Sequence, residues 1–226
     1  MDRYKFVINR DRAGRLVDTQ EFENIRFKVK RYSDDLLYEL KAAARESVRI
    51  RNDYVIVNHM YIQRKVTPLP IYFAEEENQE LVNQVVIDFG YFLKDIAATG
   101  LFPSDLFNTW NYGVTSKNRV VLYDYDDVLP LETINFHNKP IPRNDYEELL
   151  PEEDWIVAEP TDFFMDEIHN FLGVPNQLMK IFKSIHKDLF TIEFWNDLKE
   201  RVLKGEVFDL IPYDRERRFQ RHSREA

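Results

Sequence analysis

Hydrophobic residues recur at helical spacing most clearly between about Asn78 and Thr99. The repeating positions are Leu81, Val82, Val85, Val86, Phe89, Leu93, Ile96 and Ala97. This spacing places them on one side of an α-helix, and Gly100 suits the residue that follows a helix end. The pattern therefore predicts a long amphipathic helix that ends just before Gly100.

Shorter patterns predict elements before this helix. Ser33 is a suitable N-cap for a helix whose first turn contains Asp34 and Asp35. Alternating and β-branched positions predict a strand over 54–62 and a short strand over 4–8. The N-terminal third of the chain is therefore expected to mix strands with one helix.

A hairpin is predicted after the long helix. Its strands are 112–115 and 119–123, joined around residues 116–118. A period of two places Val120, Leu122, Asp124 and Asp126 on one face, so two carboxylates are predicted to leave the strand end pointing the same way. Residues 128–160 are rich in proline and are expected to be irregular, and helices are predicted over 161–172, 175–188 and 191–204. The order of elements favours an α+β fold.

The candidate chemistry lies between the long helix and the hairpin. Asp105, Asn111 and Asp124 occur in the order in which a protein kinase places its catalytic Asp and two metal ligands. Carboxylate and amide oxygens are the ligands that Mg²⁺ prefers. Phosphoryl transfer is therefore the chemistry that these residues favour. The alternative is that they are ordinary turn and capping residues.

Other candidate sites are less specific. Asp88-Phe89-Gly90 has the spelling of the kinase metal motif, but it precedes Asp105 and lies within the predicted helix. The five histidines lack the i, i+4 spacing of helical metal ligands, and no glycine-rich phosphate loop is present. We therefore interpret the triplet as coincidental and the histidines as surface or core residues.

Composition narrows the class of protein. The chain has 226 residues, a formal net charge of −9 and a pI near 5.2, which disfavours nucleic acid as its main partner. It contains no cysteine, which excludes disulfides and thiolate chemistry. The longest apolar runs are shorter than a membrane span, and the N-terminus lacks an apolar signal region. A soluble, cytoplasmic protein is expected.

Several segments make the chain similar to a known family. They include Gly14–Phe22, His59–Leu69, Ala97–Asp105, Asn111–Thr115 and Val121–Asp127, and the similarity continues from His186 to about Phe219. On these segments the chain resembles the C-terminal part of bacterial isocitrate dehydrogenase kinase/phosphatase. The resemblance implies a kinase-like fold, with a partial β-rich small lobe and hinge over 1–66 and a mostly helical large lobe over 67–226.

The resemblance also implies an activity and its site. The family uses ATP and Mg²⁺ to phosphorylate a serine of isocitrate dehydrogenase at the branch point between the citric acid cycle and the glyoxylate bypass, and it also removes that phosphate. By position, Asp105 is similar to the catalytic Asp, Asn111 and Asp124 to metal ligands, and Asp126 to a neighbouring acid counted with them. Asp18 matches the acid of the phosphatase half. The adenine-binding hinge would comprise Tyr61, Ile62, Gln63, Arg64, Lys65 and Val66.

The chain departs from the family pattern at several positions. Six steps separate Asp105 from Asn111, where the family has five, and Trp110 stands where a lysine usually precedes the Asn. Gln63 replaces the hinge acid, and the ATP-covering loop and phosphate-binding lysine of the family have no counterpart in these 226 residues. Two functions follow as hypotheses. One is a Mg·ATP-dependent kinase/phosphatase module from a longer or split enzyme; the other is a non-catalytic module that binds isocitrate dehydrogenase.

Overall fold

The computed structural model describes residues 2–17, 19–106, 108–165, 168 and 174–206. Helices and strands are mixed along the chain, so the predicted α+β class is confirmed. The described residues divide into two units. The larger contains residues 2–16 and those from 66 onward, and the smaller contains residues from 17 to 65.

The N-terminal segment is a helix, α1 (Asp2–Arg10), so the predicted strand over 4–8 is wrong. Val7 is fully buried, and the Arg10 guanidinium lies 4.5 Å from the centroid of the Phe6 ring. Residues four positions apart are neighbours on a helix, whereas on a strand they share a face but lie about 13 Å apart. The short apolar run could not distinguish these two structures, because it is compatible with either period.

The smaller unit is a three-stranded antiparallel sheet with one helix. Its strands are β1 (Thr19–Lys28), β2 (Val48–Arg51) and β3 (Tyr54–Gln63), in the order β1-β3-β2. Helix α2 (Asp34–Ala43) is capped by Ser33, whose hydroxyl accepts a hydrogen bond from the Leu36 N–H at 3.3 Å. The predicted N-cap and the predicted strand over 54–62 are confirmed.

The larger unit is organised around α4 (Gln79–Ala98), which follows β4 (Thr67–Pro68) and α3 (Leu69–Glu75). Asn78 caps α4 by accepting hydrogen bonds from the N–H groups of Glu80 and Leu81. All the positions of the predicted apolar stripe except Leu81 are buried. Gly100 follows the helix with a φ of +80°, a conformation that glycine adopts without steric cost. The predicted long helix is confirmed.

Four short strands follow α4. They are β5 (Leu101–Pro103), β6 (Tyr112–Val114), β7 (Val120–Leu122) and β8 (Val128–Pro130). β6 and β7 form the predicted hairpin, with β4 paired to the other side of β6, while β5 pairs with β8. β7 ends at Leu122, so strand alternation does not extend to Asp124 and Asp126, and that part of the prediction is wrong.

The C-terminal part adds strands that the sequence did not predict. β9 (Asn135–His137) pairs in parallel with β10 (Asp162–Phe164), separated by the short helices α5 (Asp145–Leu149) and α6 (Glu152–Trp155). The helix predicted over 161–172 is therefore wrong at its start, and residues 166–167 and 169–173 lie outside the described residues. The other two predicted helices are confirmed in position as α7 (Asn176–Ile185) and α8 (Ile192–Leu203).

Aromatic side chains hold these elements together. The rings of Phe102, Phe136, Phe163 and Trp195 contact one another with centroid separations of 5.1 to 5.9 Å. Such ring pairs add to the stabilisation that comes from burying apolar surface. Along the described residues, none of the helices combines the length and the apolar character that crossing a lipid bilayer would require.

Candidate active site

Asp105 lies in a turn directly after β5. Its neighbour Ser104 donates two hydrogen bonds to the Asp127 carbonyl oxygen, one from N–H at 2.8 Å and one from Oγ at 2.7 Å. These bonds extend the β5–β8 pairing, in which Pro103 is opposite Val128. The turn with Asp105 is therefore joined to the segment that contains Asp124, Asp126 and Asp127.

Two consecutive turns connect Asp105 to Asn111. The Asn108 N–H donates to the Asp105 carbonyl at 3.2 Å, and the Asn111 N–H donates to the Asn108 carbonyl at 2.9 Å. The Asn108 side chain also accepts from the Trp110 N–H at 3.2 Å, which caps a short 3₁₀ turn, Thr109–Asn111. These two backbone hydrogen bonds together span the six steps from Asp105 to Asn111.

A further backbone hydrogen bond brings Asn111 to Asp124. The Tyr123 N–H donates to the Asn111 carbonyl at 3.0 Å, so Asp124 is the next residue after a direct contact with Asn111. The Asp124 carboxylate accepts from the Asp126 N–H at 3.4 Å. Asp105, Asn111 and Asp124 therefore lie in loops that are linked to one another at one end of the β6–β7 hairpin.

The carboxylate charges of this region affect the pKa values of two tyrosines. Tyr112 is fully buried, and its hydroxyl donates to the Leu106 carbonyl at 3.3 Å. Burial raises the pKa of Tyr112, and the Asp105 charge raises it further. Burial and the Asp124 charge likewise raise the pKa of Tyr123. Tyr112 therefore remains a protonated donor that supports the residue next to Asp105.

The available donor atoms suit a hard divalent cation. Asp105, Asn111 and Asp124 are half-buried and supply carboxylate and amide oxygens, whereas Asp126 is exposed. Within the described ranges, no three His, Cys, Asp or Glu side chains are arranged to hold a metal ion. Asn111 and Asp124, whose loops are joined by the Tyr123–Asn111 hydrogen bond, carry one amide and one carboxylate oxygen donor of the kind that Mg²⁺ prefers.

The remaining site residues that the sequence predicts are the phosphatase acid, Asp18, and the hinge residues 61–66. Asp18 lies outside the described residues. Tyr61, Ile62 and Gln63 end β3 with exposed side chains, and Gln63 donates to the Thr19 hydroxyl at 3.0 Å. Arg64 and Lys65 follow without regular structure, and at Val66 the chain returns to the larger unit. Trp110, beside Asn111, has 55% of its surface exposed.

Sequence reasoning missed an ionic cluster next to this site, in which a buried arginine pairs with two partly buried carboxylates. Arg15 is only 3% exposed; its Nε donates to Asp95 and its Nη1 to Asp88, each at 2.7 Å. Burial lowers the pKa of Arg15, but the hydrogen bonds and charges of the two carboxylates outweigh it and leave the pKa raised. The signal was available, because Asp88 and Asp95 are seven residues apart and share one face of α4. We call Arg15, Asp88 and Asp95 the Arg15 cluster.

Comparison with known proteins identifies the family. Residues 1–215 match the profile of the isocitrate dehydrogenase kinase/phosphatase (AceK) kinase domain. The chain belongs to the isocitrate dehydrogenase kinase/phosphatase family. It is 41% identical over 218 residues to the isocitrate dehydrogenase kinase/phosphatase of Anaeromyxobacter sp. (strain Fw109-5) and 36% identical over 220 residues to that of Photorhabdus laumondii.

These alignments cover different shares of the two proteins. They include 96% and 97% of this chain but 37% of each relative. A third relative, the isocitrate dehydrogenase kinase/phosphatase of Anaeromyxobacter dehalogenans, is 38% identical and is covered to 39% of its length. The chain therefore spans little more than a third of the isocitrate dehydrogenase kinase/phosphatases that it matches, and the match includes every described residue of the candidate site.

Proposed function

We propose that the chain is the kinase module of a Mg·ATP-dependent kinase/phosphatase that acts on a serine of isocitrate dehydrogenase. The observation that carries the proposal is the pair of loop contacts, Ser104 to Asp127 and Tyr123 to Asn111, which gather Asp105, Asn111 and Asp124 at one end of the hairpin. Their order along the chain and the family match support the same function.

Asp105 would orient the serine hydroxyl and accept its proton. Among the described residues none donates a hydrogen bond to its carboxylate, which leaves both oxygens for a substrate. Tyr112 supports the turn by binding the Leu106 carbonyl from within the core. A base held within hydrogen-bond reach contributes about 10²- to 10⁴-fold to a rate.

Asn111 and Asp124 would hold the metal ion. A Mg²⁺ ion held by these oxygens would supply positive charge where negative charge develops during phosphoryl transfer. The Tyr123–Asn111 contact keeps the two ligands adjacent, and Asp126 adds negative charge from an exposed position nearby. The backbone of residues 61–66 would bind adenine, and Asp18 would activate water for the phosphatase reaction.

The test is transfer of labelled γ-phosphate from ATP to isocitrate dehydrogenase. The reaction is measured twice: once with the chain alone, and once after addition of the segment of the Anaeromyxobacter sp. (strain Fw109-5) relative that the alignment does not cover. We expect Mg²⁺-dependent labelling that falls by about a hundredfold or more in Asp105→Asn, because the base is lost. Asp124→Asn should raise the Mg²⁺ concentration needed.

Asp145→Asn is the matched control, since this exposed acid lies in α5 and has no place in the proposed site. It should label isocitrate dehydrogenase as the wild type does. Labelling that persists in Asp105→Asn, or that is equal in all variants, would contradict the proposal.

A second candidate is a non-catalytic module that binds isocitrate dehydrogenase. The observation in its favour is Trp110, an exposed aromatic side chain where the family has a cation beside the metal ligand. Removing a positive charge from such a site weakens stabilisation of the transferring phosphate. Binding of isocitrate dehydrogenase by the double variant Asp105→Asn/Asp124→Asn, in the absence of any labelling by the wild type, would favour this candidate.

A further inference from the structure

Strand β7 forms hydrogen bonds along both of its edges, although in the described part of the chain only one edge is paired with another strand. On one side it pairs with β6. On the other side, the Val120 N–H donates to Asp88 Oδ2 at 2.6 Å and the Val120 carbonyl accepts from Arg15 Nη1 at 3.2 Å. The Leu122 N–H donates to the Arg15 carbonyl at 2.8 Å. In the sheet β4-β6-β7, the Arg15 cluster and the Arg15 backbone thus occupy the edge of β7 where a fourth strand would pair.

The cluster also fixes this edge to the main helix. Asp88 Oδ2 accepts from both Arg15 Nη1 and the Val120 N–H, so one oxygen joins the ion pair to the strand. Asp95 binds the other side of the guanidinium through Nε. Both carboxylates belong to α4, whose opposite face is buried in the core. Asp88 therefore joins β7 to α4 directly.

Arg15 is itself held in a preformed loop. The Asp11 carboxylate accepts hydrogen bonds from the N–H groups of Ala13, Arg15 and Leu16 at 3.0 to 3.4 Å. Gly14 has a φ of +62°, which allows the loop to reverse direction just before Arg15. Because the loop is already fixed by these contacts, binding of the guanidinium to its partners requires little further loss of conformational entropy.

From these contacts we propose that Arg15 is a positioning residue for Asp124, acting by fixing the direction in which the chain leaves β7. The last Arg15 contact is at Leu122, two residues before Asp124, and Tyr123 then bonds to Asn111. This inference rests on the proposed function, because it concerns the geometry of the Asn111–Asp124 ligand pair. It assigns a role to the Asp88 of the Asp88-Phe89-Gly90 triplet, which the catalytic proposal leaves unused.

The experiment measures Mn²⁺ binding to the chain by electron paramagnetic resonance, with Mn²⁺ in place of Mg²⁺, for the wild type and Arg15→Lys. A lysine has one compact ammonium group and cannot bind Asp88, Asp95 and Val120 in the geometry of a guanidinium. We expect Mn²⁺ affinity per folded molecule to fall about ten- to a hundredfold, the range found when groups that orient metal ligands are altered. Amide exchange at Val120 and Leu122 should become faster.

Arg10→Lys is the matched control. Arg10 is also a partly buried, paired arginine of the larger unit, but its contacts are with Glu132, Gly100 and the Phe6 ring rather than with β7. It should leave Mn²⁺ affinity and the exchange of Val120 and Leu122 unchanged. If Arg15→Lys does not fold, Asp88→Asn replaces it as the test variant. The asparagine keeps an oxygen that can accept from the Val120 N–H but removes the charge that pairs with Arg15. We again expect weaker Mn²⁺ binding and faster exchange at Val120 and Leu122.

Asp124→Asn separates the two proposals. If it weakens Mn²⁺ binding while Arg15→Lys or Asp88→Asn binds as the wild type does, the positioning role is wrong and the metal site stands. If Mn²⁺ binds equally to Asp124→Asn and the wild type, or to neither, both the metal site and the positioning role are wrong. Equal losses in Arg15→Lys and Arg10→Lys would also overturn the positioning role.

Discussion

His186 is a buried histidine whose surroundings favour the neutral ring. Its Nε2 lies 2.9 Å from the Ile87 carbonyl, which can only accept, so Nε2 carries the proton. Its Nδ1 is buried without a hydrogen-bond partner. Burial lowers the pKa of His186, and the Lys94 charge lowers it further, against the opposing effects of the Ile87 hydrogen bond and Asp188. A second proton on the ring would have no acceptor.

This arrangement predicts how stability depends on pH. Below the ordinary histidine pKa of about 6.5, the unfolded chain binds a proton that the folded protein does not, so the free energy of unfolding falls as the pH decreases. One such group contributes up to about 1.4 kcal/mol per pH unit. We expect His186→Gln to show a shallower loss of stability between pH 7 and 5 in urea unfolding. An identical slope in the variant and the wild type would mean that His186 is protonated while folded.

At the scale of elements, the Asp88-Phe89-Gly90 triplet has three structural roles in α4. Asp88 binds Arg15 and β7, and Phe89 is fully buried against Tyr112 and Phe92. A Cβ on Gly90 would lie 2.1 Å from the His186 ring, so glycine is required where α4 meets the end of α7. The interpretation that the triplet is not the kinase metal motif agrees with its place in this helix.

Gly90→Ala should therefore destabilise the protein. Alanine favours the helix by about 0.8–1 kcal/mol over glycine, but overpacking a filled core typically costs about 1–3 kcal/mol. The methyl group would be more than an ångström inside ordinary contact with a ring backed by Tyr91 and Phe182. Because the overlap exceeds an ångström, the overpacking cost should be near the upper end of its range, and we expect a net loss in the free energy of unfolding of about 2 kcal/mol by urea titration.

A double-mutant cycle with His186→Ala isolates this contact. Without the imidazole ring the added methyl group has space, so Gly90→Ala should become neutral or stabilising in that background. A loss of the same size in both backgrounds would place its cause in α4 alone rather than in the packing of α4 against His186.

The elements that could be predicted are those whose signal is local. The stripe and cap of α4, the Ser33 cap and the β6–β7 hairpin all depend on residues within about twenty positions. The β9–β10 pair could not be predicted in this way, because each strand has three residues and its partner lies beyond two short helices. α1 was missed because a five-residue apolar run does not distinguish a helix from a strand.

At the scale of the whole molecule, the candidate site also combines features with a local sequence signal and features without one. The sequence order identified Asp105, Asn111 and Asp124. The Tyr123–Asn111 contact continues the predicted β6–β7 hairpin, whereas the Ser104–Asp127 contacts join the turn after β5 to the segment before β8, and no side-chain pattern encodes that pairing. The Arg15 cluster joins residues more than seventy positions apart. Only its half on α4, the pair Asp88 and Asp95, has a periodic signal.

The two units differ in how much apolar surface they bury. In the smaller unit, Val17 and Val55 are the buried residues among those described, while Tyr38 and Tyr61 are largely exposed. The larger unit contains an extensive core around α4. Since burial of apolar surface is the main favourable term in folding, the sheet of β1, β2 and β3 should open at a lower free energy than α4.

Native-state amide exchange measures this difference. We expect amides in the β1–β3 ladder, such as those of Ile25 and Val57, to exchange at least about tenfold faster than buried α4 amides such as those of Val86 and Phe92, because local openings of the sheet expose little apolar surface. Val55→Ala should speed exchange in the ladder further and leave α4 unchanged. If ladder and helix amides instead share one opening free energy, and Val55→Ala lowers both, the two units unfold together and the sparse core of the smaller one does not limit its stability.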